Sequence, residues 1–399
     1  MKRLGILLLL VSSVTSVQAR RPPDPAVAPT ISLLTFAPGE VYWQRFGHNA
    51  LLVREPSGPA TVYNYGMFDF QQKNFFINFA RGKMLYRLDT DSLWRTLAIY
   101  QRENRWVVEQ RLNLLPTQAR ELAEFLAWNA LPENADYRYD YFADNCSTRV
   151  RDAIDRVLGG DLRRQLEART TTVSYRYESV RMMSPIPALA LGIDLVDGPA
   201  TEAPLNVWQQ SFLPEALMQA LRSVQTLAPD GSRRPLVYVE LPLQSGSGPE
   251  APAQPLSFVW MLLGAGIASA VLLLWLNHLR DHKPARIAFS ALSFVLVLVS
   301  GLGGLILLAI WTLTEHWAWH ANHNLLLLNP LSLLLLPACI KTVRKIPGIN
   351  RRSVYMAMGI ALGALIVALL PGQSQSAWVA LLLPMHLSLS YALFRATRI

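Results

Sequence analysis

Five long apolar segments fill the last third of this 399-residue chain and constrain its fold more than any other feature. Each is free of charge over most of about 17–24 residues, close to the length that crosses the hydrocarbon core of a bilayer. Because lipid offers backbone groups no hydrogen-bond partners, these segments predict an α-helical membrane domain. Asn329-Pro330 interrupts the third, where a kinked or re-entrant path is the alternative. The segments are 258–276, 287–310, 325–343, 354–370 and 377–394.

The positive charges after residue 257 predict the orientation. If all five segments span, every Lys and Arg in this region falls on one side, and the positive-inside rule makes that side cytoplasmic. The chain before the first segment then lies outside, and the C-terminus lies inside. The ten residues are Arg280, Lys283, Arg286, Lys341, Arg344, Lys345, Arg351, Arg352, Arg395 and Arg398.

Residues 1–19 agree with this orientation because they have the pattern of a secretory signal peptide. A positive start, an apolar run too short to span a membrane, and the small residues Val17 and Ala19 are typical of such peptides, with an uncleaved anchor as the alternative. An exported domain over residues 20–245 is therefore expected. Much of the net charge of +9 belongs to the membrane domain, so no nucleic-acid partner is expected.

The remaining boundaries follow from composition. Residues 246–256 are rich in Ser, Gly and Pro and lack apolar periodicity, which indicates a linker. The membrane domain then covers residues 257–399.

A cysteine at a predicted helix start is the first candidate for chemistry. Asp144 or Asn145 can cap a helix that Gly159-Gly160 would end. In its first turn, the helix dipole and the free N–H groups favour a thiolate at Cys146, so this thiol is expected to be more acidic than a free one. Cys339 lies in the third apolar segment, so the two cysteines cannot pair. The alternative is a small, inert core cysteine.

A thiol nucleophile requires a base, and the exported segment contains one histidine. His48 begins a mostly apolar predicted strand, and the turn "EPSGPA" separates it from a second strand, "TVYNYGMFDF". Asn64 in that second strand is the first choice for a group that orients His48, and Asp69 is the second. Each of these residues also has a purely structural interpretation, as a strand-end or turn residue.

The stretch "EHWAWHANHN", between the second and third apolar segments, supplies candidate substrate-binding residues. It is expected to pack beneath the Cys146 site, with its amides reaching ester or phosphate oxygens of a lipid. No metal is expected, because the spacing is not that of a zinc site and the tryptophans suggest an interfacial belt. A solvated aromatic-belt loop is the alternative. The candidates are His316, His320, Asn322 and Asn324.

A histidine strand followed about a hundred residues later by a cysteine helix resembles the circularly permuted relatives of the papain-like NlpC/P60 fold. The start of that helix, "NC", is similar to the lecithin:retinol acyltransferase type. A closer resemblance, to the Lnb family, is carried by "FGHNALLV", "VYNYGMFDF", "YFADNCSTRVRD", "FLPEAL" and "HWAWHANHNLLLLNPL". Lnb proteins are bacterial lipoprotein N-acyltransferases with a periplasmic domain before a membrane domain.

The resemblance implies an α+β, permuted papain-like periplasmic domain on five transmembrane helices in the inner membrane. It implies that a phospholipid donates an acyl chain to Cys146 and that His48 assists its transfer to the N-terminal amine of a diacylglyceryl lipoprotein. No cofactor is implied, and Asn145 would serve either the oxyanion or the helix cap. The alternatives are a cysteine peptidase or amidase of the NlpC/P60 type and a non-catalytic membrane protein with a structural cysteine.

Overall fold

The computed structural model describes residues 28–343 and 351–396. The predicted signal peptide lies outside this range, as do Arg344, Lys345 and Arg398 among the charges used for topology. In the described part, the N-terminal region is built on a sheet and the C-terminal region is helical, as the sequence predicted. The permuted papain-like topology remains a prediction.

An antiparallel sheet of seven strands forms the centre of the N-terminal domain, in the order β6-β4-β3-β2-β1-β5-β9. The remaining two strands, β7 and β8, pair as a separate hairpin. The predicted pair of strands around "EPSGPA" is confirmed. The strands are β1 (Thr30–Phe36), β2 (His48–Arg54), β3 (Ala60–Met67), β4 (Leu85–Ser92), β5 (Val107–Leu112), β6 (Asp136–Arg138), β7 (Gln225–Leu227), β8 (Arg233–Pro235) and β9 (Val237–Gln244).

Helices cover both faces of this sheet, which explains why β2 is apolar on both sides. Leu51 faces a core shared with the third and fourth helices, whereas its neighbour Leu52 faces a second core shared with the second helix. The fourth helix begins at Cys146, as predicted. The helices of this domain are α1 (Phe75–Ala80), α2 (Leu93–Arg102), α3 (Pro116–Asn129), α4 (Cys146–Val157), α5 (Asp161–Glu167), α6 (Tyr175–Met183), α7 (Pro187–Val196), α8 (Val207–Gln210) and α9 (Pro214–Leu221).

The segment between β9 and the first membrane helix contains no helix or strand, in agreement with its composition. It is nevertheless held against the domain. Arg181 Nη1 donates to the carbonyl of Pro252 at 2.6 Å, and the Leu256 N–H donates to Ser184 Oγ at 2.9 Å. The membrane region therefore begins close to α6.

The membrane region contains α10 (Val259–His278), α11 (Lys283–Leu313), α12 (Leu336–Val343), α13 (Arg351–Val367) and α14 (Ser376–Ala396). In the described residues, four stretches are long and apolar enough to cross a bilayer: Val259–His278, Lys283–Leu313, His323–Thr342 and Ser376–Arg395. The remaining helix, α13, has 17 residues. The fifth span and the cytoplasmic C-terminus remain predictions.

The third stretch is not a continuous α-helix. It consists of 3-10 turns over His323–Leu326 and Pro330–Leu335, followed by α12. Asn329 Oδ1 accepts a hydrogen bond from the Leu331 N–H at 3.0 Å, so the Asn329-Pro330 pair starts a new turn. The expected interruption is confirmed, and it follows from the N–H that proline lacks.

Candidate active site at Cys146

Asn145 fixes the start of α4 and thereby the position of Cys146. Its Oδ1 accepts from the N–H groups of Ser147 and Thr148 at 2.8 and 2.9 Å. Its Nδ2 donates to the carbonyls of Tyr141 and Phe212 at 2.9 and 3.0 Å. Because these bonds occupy both Nδ2 protons and the Oδ1 acceptor, Asn145 is the helix cap, and its contacts do not support an oxyanion role.

His48, at the start of β2, faces Asn64 in the middle of β3. His48 Nε2 lies 3.3 Å from Asn64 Oδ1. An amide oxygen only accepts, so with this amide orientation Nε2 carries the proton and Nδ1 is left with a lone pair. The second choice, Asp69, is exposed and accepts from the Gln71 N–H at 2.8 Å, which places it in a turn.

Three contacts place Cys146 against β2 and β3, the strands that carry His48 and Asn64. The hydroxyl of Ser147 lies 2.9 Å from Oδ1 of Asn49, so the residues that follow Cys146 and His48 touch. The backbone N–H of Asn49 reaches the sulfur. On the β3 side, an ideal Cβ added to Gly66 would lie 3.3 Å from Cys146 Cβ. A bulge in β3 between Asn64 and Met67 allows this close approach.

The surroundings of His48 and Cys146 shift both pKa values towards the neutral imidazole and the neutral thiol. Burial lowers the pKa of His48 to about 4, opposed by the hydrogen bond with Asn64, and the positive charge of Arg105 lowers it further. Burial also raises the pKa of the Cys146 thiol, and the N–H groups of Asn49, Ser147 and Cys146 offset this only in part. The expectation of an unusually acidic thiol was therefore wrong, because dehydration of the sulfur outweighs the helix end. Cys146 as a residue is half-buried, Cys339 is buried, and both cysteines are free.

The outer loop, residues 314–329, packs against the segment that leads to Cys146. Trp317 Nε1 donates to Asp140 Oδ2 at 2.7 Å. The other oxygen of Asp140 accepts from the N–H groups of Phe142 and Ala143, both at 2.8 Å. Glu315 forms ion pairs with Lys83 and Arg138. The loop thus supports the turn before α4.

The four candidates on this loop make contacts within the protein. His316 Nε2 lies 3.0 Å from the Phe79 carbonyl, and His320 Nε2 lies 3.0 Å from the Thr314 carbonyl. A 3-10 turn, Trp317–Trp319, separates these two histidines, so they do not share a helix face. Among the described residues, no group of three or more His, Cys, Asp or Glu side chains is arranged to hold a metal.

The loop amides are also engaged. Asn322 Nδ2 donates to the carbonyls of Leu195 and Val196 at 2.9 and 2.8 Å, and Asn324 Nδ2 donates to that of Leu195 at 2.9 Å. Both side chains are buried. The expected contact of these amides with a lipid is therefore not supported; they tie the membrane region to the C-terminal end of α7.

Three residues of the site were not found from the sequence. Gly66 had a signal, since a glycine inside a strand suggests a bulge or a close approach. Asn49 acts through its backbone N–H, which no side-chain pattern indicates. Arg105 is far from His48 in sequence, and its effect on the histidine depends on the fold.

Comparison with protein families matches two successive regions of the chain. Residues 25–182 match the Lnb N-terminal periplasmic domain, and residues 248–398 match the Lnb transmembrane domain. Together they cover most of the chain, in the order that the structure shows. The chain belongs to the Lnb family. No curated protein and no solved structure matches it.

Membership of the Lnb family agrees with the architecture. The sheet domain that carries Cys146, His48 and Asn64 is the periplasmic domain, and the helical region is the membrane domain of a multi-pass inner-membrane protein. The site and the outer loop that supports it therefore lie on the periplasmic side.

Proposed function

We propose that this protein is a lipoprotein N-acyltransferase, in which a fatty acyl chain passes from a phospholipid to Cys146 and then to the N-terminal amine of a diacylglyceryl lipoprotein. Family membership supports the class of reaction. The contact between His48 and Asn64, in the same site as the half-buried Cys146 at a helix start, is the observation that carries the assignment of roles.

In the first half-reaction, Cys146 is the nucleophile and His48 is the base. Nδ1 of His48 takes the thiol proton as the sulfur attacks the ester carbonyl carbon of the phospholipid. The backbone N–H groups of Asn49 and Cys146, which already reach the sulfur, donate to the developing oxyanion. The carbon–oxygen ester bond breaks, the imidazolium protonates the departing alkoxide, and a thioester and a lysophospholipid result.

In the second half-reaction, the lipoprotein amine attacks the thioester carbon. Nδ1 of His48 accepts a proton from the nitrogen, the carbon–sulfur bond breaks, and the sulfur recovers a proton from the imidazolium. Asn64 holds the Nε2–H throughout and thereby fixes the tautomer in which Nδ1 is free to accept a proton. A neutral His48 suits both steps because each begins with the imidazole as proton acceptor.

Mass spectrometry of lipoprotein N-termini tests the proposal in a strain that lacks other N-acyltransferases. The wild-type gene should add one acyl chain to the N-terminal amine, and Cys146→Ser should not. Cys339→Ser, which removes the other thiol away from the site, should act like the wild type. An unchanged N-terminus with the wild-type protein present would refute the proposal, and release of free fatty acid or of cell-wall peptides instead would favour a cysteine hydrolase.

A further inference from the structure

An exposed cluster of large apolar side chains lies beside the Cys146 site. This aromatic patch consists of Tyr42, Trp43, Met67, Phe70, Phe76, Ile77 and Phe79. It includes half of α1, whose sequence is FFINFA, and Phe76 and Ile77 there are 71% and 57% exposed. Short helices normally bury such residues, and a contiguous exposed patch of this kind marks an interaction surface.

The rings of the patch are packed together rather than scattered. Phe68, at the centre, lies 6.3 Å from Trp43, 5.0 Å from Phe70 and 6.1 Å from Phe75, measured between ring centroids. Phe75 in turn lies 5.3 Å from Phe76. The fold thus holds a preformed apolar surface.

The patch is joined to the outer end of a membrane helix. α11 ends at Leu313, and two residues later the Glu315 N–H donates to the Arg81 carbonyl at 2.9 Å. His316 Nε2 contacts the carbonyl of Phe79, inside α1, at 3.0 Å. Gly82 leaves room for this contact, since an added Cβ would lie 2.9 Å from the His316 nitrogen. α1 is therefore held where the polypeptide leaves the membrane.

The patch also borders the reactive residues. Met67 directly follows Gly66, which covers Cys146, and Trp43 lies a few residues before His48. A stack of rings continues inward: Tyr86 lies 5.1 Å from Phe68 and 4.1 Å from Tyr139. Tyr139 and Cys146 pack against the same hydrophobic core, so the stack leads from the patch towards the site.

We propose that the aromatic patch inserts into the outer leaflet of the membrane. Aromatic side chains favour the interface between lipid and water, and Lys73 and Arg81, which flank α1, can reach phosphate groups from there. The mouth of the Cys146 site then opens at the depth of lipid ester groups. From this position the phospholipid donor enters the site laterally from the leaflet. That role rests on the proposed function, whereas the insertion of the patch into the membrane does not.

Fluorescent labels on single cysteines test the position. In a Cys146→Ser, Cys339→Ala background, an NBD label is placed at Phe76→Cys or at Trp94→Cys, and the protein is reconstituted in phosphatidylethanolamine–phosphatidylglycerol vesicles. Trp94 is a matched control because it is also 71% exposed. Trp94 follows Ser92, at one end of β4. The other end, Leu85, lies seven residue steps or about 23 Å from Ser92 and pairs with Arg138, next to Glu315.

The label at position 76 should be blue-shifted and quenched by doxyl-labelled lipids, whereas the label at position 94 should be quenched by aqueous iodide. Equal iodide quenching at both positions would overturn the proposal. Protection from iodide without quenching by doxyl lipids would also overturn it, because a protein surface rather than lipid would then cover the patch. Neither result depends on catalysis.

An activity measurement tests the consequence for the donor. The double variant Phe76→Ser, Ile77→Ser should transfer acyl chains from vesicles roughly tenfold more slowly than the wild type. It loses much of the apolar surface that the patch buries in the lipid. It should react normally with a water-soluble short-chain ester, and Trp94→Ser should match the wild type with both donors. Equal rates with vesicles for the double variant and the wild type would refute lateral entry.

Discussion

The variant Gly66→Ala tests whether the position of the Cys146 thiol, apart from the stability of the fold, controls the rate of acyl transfer. Gly66 has φ +86°, where an L-residue costs about 1–2 kcal/mol, so the variant should be less stable by about that amount. The new methyl carbon would also lie 3.3 Å from Cys146 Cβ, a contact tight enough to move the cysteine by a few tenths of an ångström. Since a misplacement of about 1 Å can cost a hundredfold in rate, a fall of about tenfold in acyl transfer is expected.

The variant Gly231→Ala is the control for backbone strain at a positive φ without a new contact to Cys146. Gly231 has φ +82°, and its added Cβ would meet nothing within 4 Å. Thermal unfolding in detergent should show a similar loss of stability for both variants, while the rate of acyl transfer and the iodoacetamide reactivity of Cys146 should change only in Gly66→Ala. If both variants kept the wild-type transfer rate, the close approach of β3 would not position the nucleophile, and the reasoning would fail.

Five further outcomes are expected. Cys146→Ser should fold normally but lose turnover, because a serine hydroxyl stays protonated without stronger activation; failure to accumulate as folded protein would instead indicate a structural cysteine. The acid limb of the pH–rate profile should lie well below pH 6.5, since the pKa of His48 is about 4 and the base stays neutral above it; a midpoint near 6.5 would contradict this. The same shift makes the folded state lose stability as the pH falls from about 6.5 towards 4, which pH-dependent unfolding can measure. Asn64→Ala should slow acyl transfer about tenfold or more, whereas Asp69→Ala should not, and equal effects in the same assay would remove Asn64 from its orienting role. Asn145→Ala should lower the free energy of unfolding by about 2 kcal/mol, because a helix cap and two donors to buried carbonyls are lost; an unchanged melting temperature would argue against the cap.

The local elements of the site could be predicted from the sequence because short-range rules determine them. The β2–β3 pair follows from apolar runs around a turn, and the start of α4 follows from Asn145 and the apolar spacing after it. The pairing of His48 with Asn64 was expected because the two strands are adjacent along the chain. These features can be predicted without knowing the contacts between residues that are distant in the sequence.

The features that were missed depend on contacts between distant segments. The pKa of Cys146 is set by burial beneath Gly66 and beside Asn49, and the helix position alone suggested the opposite direction. The polar residues of the outer loop were expected to meet lipid, but Asn322 and Asn324 meet carbonyls of α7 instead. Periodicity and spacing cannot show which buried carbonyl needs a donor.

The hydrogen bonds from Asn322 to the end of α7 also set an order of events during biosynthesis. The carbonyl of Leu195 is translated 127 residues before the amide that satisfies it. At a typical 5–20 residues per second, this delay is on the order of ten seconds, during which the first two membrane helices must be inserted. The end of α7 and the loop that supports the turn before Cys146 therefore reach their final arrangement only late in translation. Such a delay would keep the thiol from reaching its reactive geometry until the protein is anchored in the membrane.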